Sequence, residues 1–191
     1  MKKTLVLAAV LLAAGAAQAH VREYKGTFVT EGGGTRSGGG EITLTWDTDG
    51  HTLGINATFA GLSGNTTQAH IHCCIATPPN AGIALATQPA NNLPSFPLGV
   101  QGATYTAVID LTVASNYGPN FLLANSSNTA TAELALMNGL EAQKGYFNIH
   151  SSTFQGGEIR AFVTLVPEPA SFGMLGLGLL AVGAWARRRR A

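Results

Sequence analysis

The sequence predicts a mainly β fold: an antiparallel β-sandwich with one inserted helix, followed by a C-terminal transmembrane helix. The first observation is a period of two, because apolar and polar residues alternate over short segments, as in strands with one buried face. Ile42, Leu44 and Trp46 show this alternation most clearly. The second observation is that turns rich in glycine, asparagine and proline separate these segments, which is typical of a β-sandwich.

Eight segments carry the strand pattern. Asp49-Gly50 indicates a hairpin between the second and third, and Gly156-Gly157 lies in the turn between the last two. The predicted strands are residues 23–29, 41–46, 53–59, 68–73, 82–87, 105–113, 145–150 and 158–165. Their buried faces are predicted to hold Trp46, Ile55, Phe59, Ile71, Ile109, Phe147, Ile149, Ile159 and Val163.

A helical period interrupts the strands before the last hairpin. Apolar residues recur there at spacings of three and four, which predicts a helix over residues 129–144. Asn128 or Thr129 is suited to cap its beginning, and Gly145 is suited to end it. A shorter helical turn is expected over residues 119–124.

The first nineteen residues have the layout of a secretory signal peptide. Lys2 and Lys3 precede an uncharged apolar stretch over residues 5–15, and the sequence Ala17-Gln18-Ala19 then places small residues at positions 17 and 19. Signal peptides share this order of a basic head, an apolar middle and a small-residue cleavage site. We therefore expect signal peptidase to cut between Ala19 and His20.

The C-terminal residues 167–191 combine three features. Pro167-Glu168-Pro169 stops the last strand, residues 170–186 are uncharged and predict a short transmembrane helix, and Arg187, Arg188, Arg189 and Arg190 follow it. Cationic clusters remain in the cytoplasm, which leaves residues 20–166 outside. Together these features resemble the PEP-CTERM sorting signal. The resemblance implies a transient stay in the inner membrane, processing by an exosortase-type enzyme, and a cell-surface or extracellular location.

Between these ends, residues 20–166 have the length of one domain. They contain five basic and nine acidic residues, a net charge of −4, although the whole chain carries +1. Proteins that bind nucleic acids present a basic surface. This balance therefore predicts no nucleic-acid partner.

Three short motifs in the domain carry a second resemblance. They are Ala69-His70-Ile71-His72, then Tyr146-Phe147-Asn148-Ile149-His150, then Gly156-Gly157-Glu158-Ile159-Arg160. In this order and spacing they look like the chordin-type (CHRD) domain, over roughly residues 23–165. The resemblance implies an immunoglobulin-like or superoxide-dismutase-like sandwich, and it supplies no catalytic residues.

Strand periodicity places polar side chains of these motifs on one face of the sheet. If the strands are neighbours, that face holds His70, His72, Asn148, His150, Glu158 and Arg160. Imidazole is a good ligand for zinc and copper, so His70, His72 and His150 are candidate metal ligands. The alternative is a structural hydrogen-bond network, and the sequence leaves both interpretations open.

Cys73 and Cys74 follow His72 directly. Two cysteines in an exported protein usually form a disulfide, but adjacent Cα atoms are about 3.8 Å apart, closer than in most disulfides. A vicinal disulfide, free thiols that bind metal, and bonds between chains all remain open.

The sequence contains no recognisable catalytic motif, so we predict that the protein is not an enzyme. The first hypothesis is a binding or structural protein of the cell surface or extracellular matrix. Its partners would be extracellular polysaccharide or other surface proteins. The second hypothesis is a secreted module that binds zinc or copper through the histidines.

Overall fold

The computed structural model describes residues 21–32, 34–74, 82–86 and 90–167, together with residues 176 and 178. The prediction of a mainly β, antiparallel domain is confirmed. The strands are β1 (Val21–Thr30), β2 (Gly39–Asp47), β3 (Thr52–Ala60), β4 (Thr66–His72), β5 (Ile83–Leu85), β6 (Ala103–Asp110), β7 (Tyr146–Ser151), β8 (Ile159–Ala161) and β9 (Val163–Leu165). The helices are α1 (Pro119–Ala124) and α2 (Thr129–Glu141).

The strands form one curled antiparallel sheet in the order β5-β4-β7-β8-β1-β2-β3-β6. Strand β1 joins its two halves: Val21 to Phe28 pair with β2, and Val29 and Thr30 pair with β8. The predicted strand over residues 158–165 is divided into β8 and β9, and both parts pair with β1. The histidine-containing strands β4 and β7 are neighbours, as the polar face requires.

The core lies between the inner faces of the sheet and helix α2. All nine residues predicted for it are buried, with at most 6% of their surface exposed. Three tyrosines, Tyr24, Tyr105 and Tyr117, join them. Alternation therefore identified residues that enter the core, because successive side chains of a strand point to opposite faces, although in β7 both faces are buried.

Helix α2 begins as predicted, since the Asn128 side chain accepts a hydrogen bond from the Thr131 amide at 3.1 Å. The helix ends at Glu141, three residues before the predicted end. Gln143 turns the chain there with a φ of 58°, and the Lys144 amide donates to the Gly139 carbonyl at 2.8 Å. Gly145 does not end the helix. It allows the chain to pass close to β4, because a β-carbon at this position would lie 3.0 Å from the His72 carbonyl oxygen.

Two carboxylates attach α2 to the sheet. Buried Glu133 accepts hydrogen bonds from the Trp46 indole at 2.7 Å and from His51 Nδ1 at 2.8 Å. Glu141 accepts from the Tyr24 hydroxyl at 2.7 Å and from Arg22 at 3.0 Å. The helix is therefore fixed in rotation and in position along the sheet.

Both predicted sorting segments are largely outside the described residues. The signal peptide, with its cleavage site between Ala19 and His20, lies outside them, as do Glu168, Pro169 and Arg187 to Arg190. Pro167 is described and is exposed. Within the described residues, we find no helix with the length and apolar character needed to cross a membrane.

Candidate metal-binding site

Strand pairing brings three histidines together on β4 and β7. Gln68 lies opposite His150, and His70 lies opposite Asn148, so His150 is the diagonal neighbour of His70. The Nε2 atoms of His70 and His150 are 3.0 Å apart. One nitrogen from each of His70, His72 and His150 lies within 4.8 Å of the other two. We call these three residues the histidine cluster.

Backbone carbonyl groups determine which nitrogens of His70 and His150 carry protons. His70 Nδ1 lies 3.0 Å from the Asn91 carbonyl oxygen, and His150 Nδ1 lies 2.7 Å from the Gln155 carbonyl oxygen. A carbonyl oxygen only accepts, so both Nδ1 atoms must donate. In the neutral rings, both Nε2 atoms are then unprotonated acceptors that face each other.

Two facing acceptors need a positive group between them. A proton is disfavoured at His70, because burial and the positive charges of His72 and His150 lower its pKa to about 3, against the raising effect of the Asn91 carbonyl. A metal ion would bind both nitrogens at once, whereas a proton on His150 would join them by a hydrogen bond. With bonds of about 2.0–2.1 Å, two nitrogen ligands at a tetrahedral angle are about 3.3 Å apart, close to the separation here.

His72 completes the cluster on its solvent side. Its ring stacks on Tyr146 with centroids 4.9 Å apart and planes at 18°, and its centroid is 4.6 Å from that of His70. His70 and His150 are buried, whereas His72 is half-buried. The cluster therefore offers two fixed buried ligands and one ligand at the surface.

The other members of the predicted polar face have different partners. Asn148 donates to Glu31 Oε2 at 2.6 Å, and Arg160 lies 3.6 Å from Glu31 Oε1. Glu31 is buried just after β1, in a segment that lies between the predicted strands over residues 23–29 and 41–46. Asn148, Arg160 and Glu31 thus form a second cluster, which ties the end of β1 to β7 and β8.

Glu158 is fully buried and serves as a hydrogen-bond acceptor for loops. The Ser63 amide donates to it at 2.7 Å, the Ser37 amide at 3.4 Å, and the Ser63 hydroxyl also donates to it. Burial alone would raise the pKa of Glu158, but hydrogen bonds from Ser151, Ser63 and Ser37 outweigh burial and lower it. Glu158 therefore stabilises the loops as a carboxylate.

We expect the protein to lose stability in acid through Glu158. Because the pKa of Glu158 is lower in the folded state, its contribution is complete above its ordinary pKa of 4.5 and is lost as the pH falls through the folded value. Urea unfolding at a series of pH values would measure this loss. In Glu158→Gln the loss should be smaller than in the wild type, and equal pH profiles would contradict the assignment.

Cys73 and Cys74 form a vicinal disulfide directly after β4. It packs against helix α2 at Gly139, where a β-carbon would collide with both sulfur atoms. Glycine inside a helix is unfavourable by about 1 kcal/mol relative to alanine. The close approach of the disulfide explains why a glycine occupies this position.

The described residues form a mainly β domain with a cluster of three histidines on two neighbouring strands. The CHRD domain model matches residues 22–163, most of the chain, and the chain belongs to the CHRD domain family. The PEP-CTERM protein-sorting motif matches residues 165–190. This motif marks an exported protein that an exosortase-type enzyme processes on its way to the cell surface. No curated protein and no solved structure matches the chain significantly.

Proposed function

We propose that this exported protein is a metal-binding module of the cell surface that holds one zinc or copper ion through His70, His72 and His150. The observation that carries the proposal is the pair of unprotonated Nε2 atoms, 3.0 Å apart, whose Nδ1 atoms both donate to carbonyl groups. Carbonyl groups commonly orient histidine ligands in this way in metal sites. A buried structural network would instead need a proton on one of these nitrogens.

The ligand set favours zinc or copper over hard cations. All three ligands are imidazoles, whereas magnesium and calcium prefer oxygen ligands. Three protein ligands leave a fourth position for water or a further ligand, on the side of half-buried His72. We propose binding rather than catalysis, because the sequence has no catalytic motif.

The predictions about export, membrane insertion and the type of sandwich belong to the same proposal. Signal peptidase removes residues 1–19, the segment 170–186 lies transiently in the inner membrane, and the domain folds outside as an immunoglobulin-like or superoxide-dismutase-like sandwich. A location at the cell surface exposes the domain to metal ions in the medium. No nucleic-acid partner is expected, because residues 20–166 carry a net charge of −4.

Calorimetric titration of the exported, metal-stripped protein with ZnCl₂ and CuCl₂ tests the proposal. We expect one ion per chain. A metal concentration of 100 times the Kd should raise the free energy of unfolding by about 2.7 kcal/mol, because the metal binds only the folded protein. Affinity should fall as the solution is made acidic, since protonated imidazole cannot bind metal.

The matched variants are His70→Ala and His51→Asn. Losing a ligand should lower the affinity by more than about 100-fold, since even the loss of a group that only orients a ligand lowers it 10- to 100-fold. His51 lies outside the cluster and has a φ of 50°, which asparagine tolerates, so its replacement should leave the affinity unchanged. If neither metal changes the melting curve of the wild type, the cluster is a structural network.

A further inference from the structure

A second feature lies beside the vicinal disulfide and shares Asn91 with the surroundings of the histidine cluster, since the Asn91 carbonyl also orients His70. It is a cavity of about 700 Å³ that opens to solvent between the disulfide, the beginning of β5 and helix α1. Pockets for small ligands have volumes of roughly 300–1,000 Å³ and combine apolar walls with a few polar groups. The size of the cavity therefore suits a ligand of several rings.

Apolar and amide groups line this cavity. The Cys73–Cys74 disulfide and the Phe121 ring supply apolar surface, and Asn120 and Asn125 supply amides. Asn125 Nδ2 donates to the Phe121 carbonyl at 2.8 Å, whereas the side chain of exposed Asn120 makes no hydrogen bond to the described residues. An amide side chain both donates and accepts, so it suits hydroxyl groups.

The Phe121 ring is held in place before any ligand binds. It stacks on the Tyr117 ring with centroids 6.3 Å apart and planes at 16°. The Tyr117 hydroxyl is buried and donates to the Leu111 carbonyl at 3.0 Å. Gly118 permits the close approach of α1 to β5, since a β-carbon there would collide with the Ile83 carbonyl oxygen. A ring fixed in this way costs little conformational entropy on binding.

No charged residue is found among the described residues that line the cavity. The sequence extends this observation, because residues 50–109 contain no aspartate, glutamate, lysine or arginine. A charged ligand would lose hydration in the cavity without gaining an ionic partner, which is unfavourable. The occupant should therefore be uncharged.

We propose that this cavity, the disulfide groove, binds a neutral saccharide. A sugar ring has an apolar face of C–H groups, which would lie on Phe121 and the disulfide. It also has hydroxyl groups at its edge, which would bond to the amides of Asn120 and Asn125. This combination matches the uncharged lining better than a purely apolar ligand does, because an apolar ligand would offer no partner to the Asn120 amide or to the side-chain oxygen of Asn125.

The proposal is tested on the exported protein in two steps. The protein is first screened against an array of neutral glucans, mannans, galactans and xylans. Calorimetry then measures its affinity for the hexasaccharide of the glycan that binds best. Saccharide binding should persist in EDTA, which separates it from the proposed metal site. We expect Phe121→Ala to weaken binding at least tenfold and Asn120→Ala to weaken it several-fold. An acidic oligogalacturonate of the same length should bind at least tenfold more weakly.

Leu123→Ala is the matched control, because Leu123 lies on the same helix, is 70% exposed and does not line the cavity. Its binding should equal that of the wild type. The proposal is overturned if no neutral glycan binds, or if folded Asn120→Ala and Phe121→Ala both bind as tightly as the wild type. Asn120 is exposed, so its replacement tests the proposal even if Phe121→Ala unfolds the protein.

Discussion

Replacement of Phe147 by alanine should lower the free energy of unfolding by about 3–5 kcal/mol, the usual cost of deleting a buried aromatic side chain. Phe147 is 1% exposed on β7, the strand between β4 and β8. Its ring meets that of Phe28 edge to face, with centroids 5.7 Å apart. The loss would be a large part of the 5–15 kcal/mol that stabilises a typical domain.

Urea denaturation followed by circular dichroism would measure this change. Val108→Ala is a suitable control, because Val108 is 70% exposed on β6, and surface changes usually stay within about 0.5 kcal/mol. A loss below about 1 kcal/mol for Phe147→Ala would show that β7 does not pack as the structure describes.

Replacement of Gly157 by alanine should lower the free energy of unfolding by about 2–4 kcal/mol, since two penalties combine. Gly157 has a φ of +121°, where a residue with a β-carbon is strained. That β-carbon would also collide with the Glu31 carboxylate and lie 2.8 Å from Asn148 Oδ1. The substitution therefore strains the turn and separates the cluster of Glu31, Asn148 and Arg160.

The neighbouring Gly156 provides a matched control. A β-carbon at Gly156 meets no atom within 4 Å, so Gly156→Ala should be neutral or slightly stabilising. Thermal melts of the two variants side by side would compare positions one residue apart. Equal melting temperatures would contradict the structure of this turn.

The sequence predicted the strands and their buried faces well, because apolar residues at every second position mark the face of a strand that packs in the core. Ile71, Phe147 and Ile159 all point to the core as their alternation required. The division of the last strand at Phe162 was not predictable, because both parts have the same alternation. It follows from the curl of the sheet, since β8 and β9 pair with different parts of β1.

The histidine cluster was only partly predictable. The spacing of His70 and His72, and the position of His150 on a later strand, indicated the face on which they meet. The carbonyl groups of Asn91 and Gln155, which orient the rings, lie in loops whose sequences show no periodic pattern of apolar residues. No sequence pattern distinguishes a loop carbonyl that points at a histidine from one that points at water.

Glu31 was missed for a related reason. It follows β1 in a segment rich in glycine, where a charged residue usually lies in solvent. Only the pairing of β1 with β8 brings its carboxylate to Asn148 and Arg160. No sequence signal pointed to it, because Glu158, two residues before Arg160 on the same predicted face, already offered that arginine an acidic neighbour.

X-ray absorption spectroscopy tests the metal site most directly. The exported protein is loaded with zinc and with copper in turn, and each sample is measured at the K edge of its metal. For at least one metal, we expect about three imidazole nitrogens at 2.0–2.1 Å and no sulfur ligand, because Cys73 and Cys74 are joined to each other. His70→Ala should reduce the imidazole signal. For both metals, sulfur scattering near 2.3 Å, or oxygen ligands alone, would contradict a three-histidine site.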